Sequence, residues 1–351
     1  MKRQIFIRDR EISKEAPVYM IAEMSANHLG DKERAKEIIR GAKEAGADAI
    51  KLQTYTADTI TIDCDMERFR IMNEGSLWNG ETYHHLYERA YMPWEWQEEL
   101  REYAESIGIT CFSAPFDLTA VDFLERIQMP AHKIASYEIT DIPLIRACAK
   151  TGKPVLISTG IARLEDIELA VNTCLEEGNE QVILLKCTSA YPSPYEDMNI
   201  RVIPNLADTF DCLTGISDHT MGSEVTLGAV ALGARVVEKH VTLKRADGGA
   251  DGDFSMELEE FADMVRQIRN LEKALGRVTY RLTAKQERER ESSRSLSVVA
   301  DIRAGETFTA ENMRSIRPGG GLHTKYYEDI LGRQASRDIK KGEPMDWSMV
   351  R

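Results

Sequence analysis

A chain of 351 residues is long enough for one large domain and a small one, or for two of middling size. With 42% hydrophobic and 29% charged residues it has the composition of a globular protein with a sizeable core, which excludes a disordered or fibrous chain. A formal net charge of −13 argues against general binding to nucleic acid or to an anionic membrane surface, yet leaves room for an anionic small substrate held by a few lysines.

The amino-terminal residues 1–17 hold no apolar core of signal-peptide length, and no apolar run approaches the ~20 residues of a membrane span. Six cysteines, at 64, 111, 148, 174, 187 and 212, form no CxxC pair and no compact framework. Reduced thiols and a cytoplasmic protein are expected.

Eight short apolar runs follow, at 18–24, 49–54, 109–113, 131–134, 154–158, 182–186, 213–217 and 235–239. Amphipathic stretches such as 32–45, 94–107, 118–127, 143–150, 164–177 and 222–232 lie between them, and 257–275 supplies a last helix. This alternation predicts a parallel sheet covered by helices. Eight strand–helix units in about 275 residues fit a (β/α)8 TIM barrel, and no GxGxxG follows the first strand to favour a dinucleotide-binding fold. Between the second and third strands lies an insertion, residues 55–108, with Ser76-Leu77-Trp78-Asn79-Gly80 and Tyr91-Met92-Pro93-Trp94-Glu95-Trp96. It reads either as a lid over the substrate face or as a packing arm. His84 and His85 within it are expected at the surface, and the tryptophans at 78, 94 and 96 in packing. Residues 276–293 are rich in charge and read as an exposed linker or solvated helix. A small β-rich domain is expected over 294–351, where two Ile-basic-x-Gly-Glu phrases, 302–306 and 339–343, bracket the turn Pro318-Gly319-Gly320-Gly321.

Barrel enzymes draw their chemistry from the carboxyl ends of the strands. Here those ends carry Glu23, Ser25, Asn27 and His28, then Lys51 and Gln53, then Lys133 and Ser136. Next come Ser158-Thr159-Gly160, then Lys186, Thr188, Ser189 and Tyr191, then Ser217-Asp218-His219 and Glu238-Lys239-His240. A lysine inside a barrel is costly unless an anion meets it. Lys51 and Lys133 therefore suggest a phosphate site aided by Gln53, Ser136, Ser158 and Ser189; two separate structural ion pairs are the plainer alternative. His219 and His240 end neighbouring strands and can converge on one divalent ion such as Mn²⁺, Mg²⁺ or Co²⁺, with Glu23 next to them in a closed barrel. Each could also be an ordinary core histidine.

At these residues the chain resembles the sialic acid synthase family. The matching phrases are Ser25-Ala26-Asn27-His28, Lys51-Leu52-Gln53-Thr54-Tyr55, Lys133-Ile134-Ala135-Ser136 and Ser158-Thr159-Gly160-Ile161-Ala162. Further on stand Leu185-Lys186-Cys187-Thr188-Ser189, Gly215-Ile216-Ser217-Asp218-His219, Glu238-Lys239-His240, Arg294-Ser295-Leu296, Ser315-Ile316-Arg317-Pro318 and Gly321-Leu322-His323. The resemblance, which spans nearly the whole chain, implies a barrel followed by an antifreeze-like (SAF) domain in a domain-swapped homodimer. It implies metal-dependent condensation of phosphoenolpyruvate with an amino-sugar aldose, releasing phosphate and giving a nine-carbon nonulosonic acid. By the same resemblance the metal, Mn²⁺ foremost, falls on His219 and His240, and phosphoenolpyruvate on Lys51, Gln53, Lys133, Ser136 and Ser158. Ser189 stands where some members have Asn. The sugar would meet Glu23, Tyr191 and Asp251, with Arg317 reaching in from the partner subunit. Several phrases match the branch whose acceptor is 2,4-diacetamido-2,4,6-trideoxy-beta-L-altrose; N-acetylneuraminate or legionaminate synthesis is the alternative. A non-catalytic carbohydrate-binding protein and a pyruvate-using metal aldolase are the readings from other classes.

Overall fold

The computed structural model describes residues 1–72 and 78–351, which form two compact units, Met1–Gly276 and Arg277–Arg351. Part of the phrase at 76–80 expected in the insertion thus lies outside the described residues.

The first unit opens with a hairpin, β1 (Gln4–Ile7) and β2 (Arg10–Ser13), paired antiparallel. Eight parallel strands follow: β3 (Tyr19–Glu23), β4 (Ala49–Thr54), β5 (Thr110–Pro115), β6 (His132–Ile134), β7 (Val155–Ser158), β8 (Val182–Cys187), β9 (Leu213–Asp218) and β10 (Val236–Thr242). β10 pairs with both β9 and β3, so the sheet closes into a barrel, and the short β11 (Met256–Glu257) adds to the far end of β10.

Side chains alternate between the two faces of a strand, and the barrel exploits this. Tyr19, Ile21, Ala49, Phe112, Leu156, Ile183, Leu185, Leu213 and Val236 form an apolar interior cluster. Ile5, Ile7 and Ile12 of the hairpin belong to it, so β1 and β2 close the amino-terminal end of the barrel. Two residues further along the same strands, and so on the same inner face, stand Glu23, Lys51, Ser158, Cys187 and Glu238. The outward set, including Met20, Ala22, Ile50 and Leu52, packs with the surrounding helices in the main core cluster. Those helices, among them Lys32–Glu44, Trp94–Ser106, Leu118–Arg126, Leu164–Glu176 and Leu258–Leu275, start on local signals: Asp31 and Asp117 cap two of them through backbone N–H groups. No helix of the described residues is long and apolar enough to cross a membrane.

The second unit begins with exposed chain and the helix Ala284–Arg290, whose residues are all solvent-facing. β12 (Ser295–Val298) and β13 (Met313–Ile316) pair antiparallel over a core that includes Leu296, Val298, Ile302, Phe308, Met313 and Ile339. The two repeated phrases are two copies of one turn. Arg303 N–H donates to Glu306 at 2.9 Å and Lys340 N–H to Glu343 at 2.6 Å. Gly305 (φ 81°) and Gly342 (φ 96°) take the left-handed conformation each turn requires, and Ile302 pairs with Ile339 through reciprocal bonds of 2.9 and 2.8 Å.

Candidate active site

A cavity of about 670 Å³ opens at the carboxyl ends of the barrel strands, in the range usual for small-molecule sites. Lys51, Gln53, Lys133, Ser136, Ser158, Tyr191, His219, His240 and Asp251 all line it. Glu23 lies fully buried behind the lining, bonded to it through Gln53 and Lys51. Arg317 is exposed at the end of β13 in the second unit.

At the floor, Lys51 Nζ lies 3.0 Å from Glu238 Oε1 and 3.2 Å from Glu23 Oε2. Lys133 Nζ is 3.3 Å from that same Glu238 oxygen, which also accepts from Ser217 Oγ at 3.0 Å. The alternative of two separate structural ion pairs thus gives way to one carboxylate shared by both lysines. Burial opposes charge on all four groups, and the outcome differs with the neighbours. Burial raises Glu23 to about 7; Lys51 pulls it down and Glu238 pushes it up. Glu238 is held well below the carboxylate range because Lys133 and Lys51 outweigh its burial. Burial lowers Lys133, which among the described residues has only Glu238 within ion-pair reach. With Glu23 protonated, two ammonium groups face one carboxylate. An arriving anion would complete that balance.

Polar atoms with no partner point the same way. Ser158 Oγ and Ser189 Oγ are buried and lack a hydrogen-bond partner among the described residues. Ser136 Oγ accepts from Gly160 N–H at 3.1 Å. Buried donors of this kind call for an acceptor such as a phosphate oxygen. A Cβ on Gly160 would lie 2.2 Å from Ser189 Oγ and 2.6 Å from Ser136 Oγ, so glycine is what lets the two hydroxyls close in.

The histidines meet as expected on neighbouring strand ends, ring centroids 5.1 Å apart. His219 Nδ1 is 3.2 Å from the Thr188 carbonyl, which leaves Nε2 to bind. His240 Nδ1 is buried without a partner among the described residues, and burial keeps the ring neutral, the form that ligates. Among the described residues no group of three or more His, Cys, Asp or Glu gathers as a metal cluster. His219 and His240 are two imidazoles on adjoining strand ends, a pair that could hold a divalent ion only with water or substrate in its other positions. Tyr191 and Phe254 pack their rings 4.4 and 5.0 Å from His219 and His240 respectively.

Ser25 sits in the left-handed region (φ 47°). That turn lets its hydroxyl bond to Asp251 and accept from Gln53 Nε2 at 2.9 Å. Other strand-end residues serve the fold. Asn27 Nδ2 donates to the Val241 carbonyl and Ser255 Oγ, both at 2.9 Å, and His28 packs edge-on against Trp96. Asp218 pairs with Lys239 at 2.6 Å on the outer side, and Lys186 turns to the Cys187 carbonyl and Thr188 hydroxyl.

Three features escaped the sequence reading. Glu238 was seen as part of a phrase but not as the counter-ion of both lysines, although its two-residue spacing from His240 puts it on the inner face. Glu138, raised to about 7 by burial and with Oε2 unpaired, lines the cavity from the turn after β6. Tyr55, Tyr83, Tyr87 and Phe116 form an aromatic side wall. The insertion therefore does two things: its helix Tyr83–Ala90 lines the cavity, while Trp94 and Trp96 pack on the core. His85 is exposed, but His84 is tucked against Asp58 at 2.9 Å rather than free at the surface.

A closed (β/α)8 barrel with this cavity, followed by a SAF domain, defines the class: residues 38–280 match the NeuB family and residues 293–351 the SAF domain, and the chain belongs to the NeuB family. It is 45% identical over 334 residues to a pseudaminic acid synthase of Campylobacter jejuni, covering 95% of this chain and 97% of the relative. Against a pseudaminic acid synthase of Helicobacter pylori the identity is 41%, over 94% and 96% of the two chains. The solved N-acetylneuraminic acid (sialic acid) synthetase of Leptospira borgpetersenii, in complex with citrate, matches with a TM-score of 0.72 at 33% identity, covering 82% of this chain and 95% of that one.

Proposed function

We propose that this enzyme makes pseudaminic acid, joining phosphoenolpyruvate to 2,4-diacetamido-2,4,6-trideoxy-beta-L-altrose with release of phosphate. The observation that carries the reading is the floor of the cavity, where Lys51 and Lys133 share Glu238 beside two histidines. A carbohydrate-binding protein has no use for that combination. The relatives' names supply the product, pseudaminic acid, and the acceptor is the aldose that the family resemblance implies for it.

In the reaction C3 of phosphoenolpyruvate forms a bond to C1 of the open-chain aldose, water adds at C2, and the tetrahedral carbon expels phosphate by C–O cleavage. Lys51 and Lys133 hold the phosphate and carboxylate charges, with Gln53, Ser136, Ser158 and Ser189 donating to their oxygens. His219 and His240 would hold a divalent cation, Mn²⁺ in our reading, which would supply Lewis-acid polarisation at the aldehyde oxygen. Glu23, raised to about 7, can hold or release a proton near neutral pH, which suits a group serving the new alkoxide or the attacking water. Tyr191 and Asp251 border the side of the cavity where the sugar would extend. A phosphate-release assay over the altrose derivative, N-acetylmannosamine and the legionaminate precursor tests the assignment. The altrose derivative should give the highest kcat/KM; a preference for either of the others would move the enzyme to another branch.

Gly160→Ala should raise the KM for phosphoenolpyruvate by about tenfold or more, because the new methyl displaces two hydroxyls and a hydrogen bond to a charged group is worth ~1.5–3 kcal/mol. Initial rates at varied phosphoenolpyruvate measure this, and an unchanged KM would remove Ser136 and Ser189 from the cradle.

Arg317 acts in trans in this reading, as the sugar-facing group of the partner's small domain in a domain-swapped homodimer. The support is its place at an exposed tip beside a glycine-rich turn, where a guanidinium offers several donors in a fixed fork. Arg317→Ala and Glu23→Ala chains, each inactive, should recover activity when mixed, since one of the two sites in a mixed dimer carries both wild-type residues. Differently tagged subunits would verify that mixed dimers form; mixed dimers without activity would refute the trans role.

A further inference from the structure

The insertion after β4 builds one side of the cavity, and its chemistry differs from that of the floor. Tyr83, Leu86, Tyr87 and Ala90 recur at the spacing of one helix face, and that face lines the cavity together with Ile60 and Phe116. The rings brace one another: Tyr87 meets Tyr55 edge-on at 5.6 Å, Tyr55 meets Phe116 at 5.2 Å, and Tyr83 stacks on Tyr87 at 6.2 Å. Burial raises the Tyr87 phenol to about 12, so the ring stays neutral. The side chains of this wall are uncharged, with Glu138 near Tyr87 at its border, whereas the floor holds Lys51, Lys133 and Glu238. No residue of the helix is fully buried, so the apolar face is not sunk in the barrel core. A contiguous apolar face left at a cavity marks a ligand surface.

The new carbon–carbon bond forms at the floor, so the carbonyl end of the acceptor lies there and its C5–C6 end extends up the cavity. In the acceptor assigned above, that far end is a methyl group where common hexoses carry a hydroxymethyl. We propose that the wall around Leu86 and Tyr87 receives this methyl end and makes the site choose 6-deoxy over 6-hydroxy acceptors. The inference rests on the acceptor class given under Proposed function. An apolar pocket rejects an added hydroxyl by about a hundredfold at most, so the expected preference is about ten- to a hundredfold in kcat/KM.

The test compares the 6-deoxy acceptor with its 6-hydroxy analogue on the wild type and on Leu86→Gln and Ile60→Gln. Both positions are half-buried, so the changes place an amide in the wall without opening the core. Each variant should shrink the preference by about fivefold or more, with the KM for phosphoenolpyruvate unchanged, because the amide can bond the extra hydroxyl. A wild type that turns over both sugars equally would overturn this inference and leave the proposed reaction standing. An equal loss on both sugars in both variants would also overturn it, the wall then being structural. A wild type that turns over neither sugar would overturn the acceptor assignment itself, and this inference with it.

Discussion

His219→Ala is expected to lower kcat by about a thousandfold or more, on the scale of losing a group that stabilises developing charge. The chain should still fold and still bind phosphoenolpyruvate. Among the described residues the imidazole has no carboxylate partner whose charge would be stranded: its Nδ1 faces the Thr188 carbonyl and lies 3.8 Å from Cys187 Sγ. What disappears is one of two ligands on adjoining strands, and His240 alone is too few to hold an ion tightly. Excess EDTA should reproduce the defect in the wild type, and added Mn²⁺ should reverse it there but not in the variant. Steady-state rates with and without chelator, alongside a thermal melt, distinguish this from unfolding. Full activity in EDTA would show that the two histidines hold no essential metal.

The second large effect is expected from Lys51→Met, and it should be a loss of both activity and stability. Lys51 bridges Glu23 and Glu238, so its removal leaves Glu238 to Lys133 and leaves Glu23 with no cation in ion-pair reach among the described residues. Breaking a buried pair this way costs about 3–5 kcal/mol. The deficit should depend on pH in a definite direction. Glu23 already has its pKa raised to about 7, above the unfolded value, so protonation favours the folded state. Without Lys51 it would rise further. The stability gap to the wild type should therefore narrow as pH falls from about 8 towards 5, where Glu23 is protonated in the folded wild type and the folded variant alike. Denaturant melts across that range measure it. The kcat/KM for phosphoenolpyruvate should drop about tenfold to a few hundredfold, the worth of one charge-assisted contact. A variant with unchanged melts and unchanged kinetics would mean that Lys51 is neither counter-ion nor anion ligand.

These residues also show what sequence patterns convey about such a site. Alternation along strands was enough to put Lys51 and Gln53 on the inner face and Ile50 and Leu52 against the helices, where they lie. It could have placed Glu238 as well, since Glu238 and His240 are two apart. What pattern could not supply is that one carboxylate would serve both Lys51 and Lys133, because that depends on the curvature bringing β4, β6 and β10 together. Glu138 and the Tyr55–Tyr87–Phe116 wall were illegible for a related reason. They stand on turns and an inserted helix whose orientation no period fixes. The hairpin of β1 and β2 was a missed opportunity: Ile5-Phe6-Ile7 is a short apolar run, with Ile5 and Ile7 buried and Phe6 exposed, in a segment weighed only as a possible leader. Asp251 came from family resemblance alone, and its bond to Ser25 gives it a physical place in the cavity wall.

The most direct test of the central claim follows the oxygen that bridges carbon and phosphorus. Phosphoenolpyruvate labelled with heavy oxygen at that bridge, incubated with the enzyme, Mn²⁺ and the altrose derivative, should deliver the label to inorganic phosphate. The nonulosonic acid, one per phosphate released, should take its C2 oxygen from water. Mass spectrometry of both products reads the outcome. Label retained in the sugar acid, or condensation that proceeds from pyruvate without phosphate release, would contradict the account.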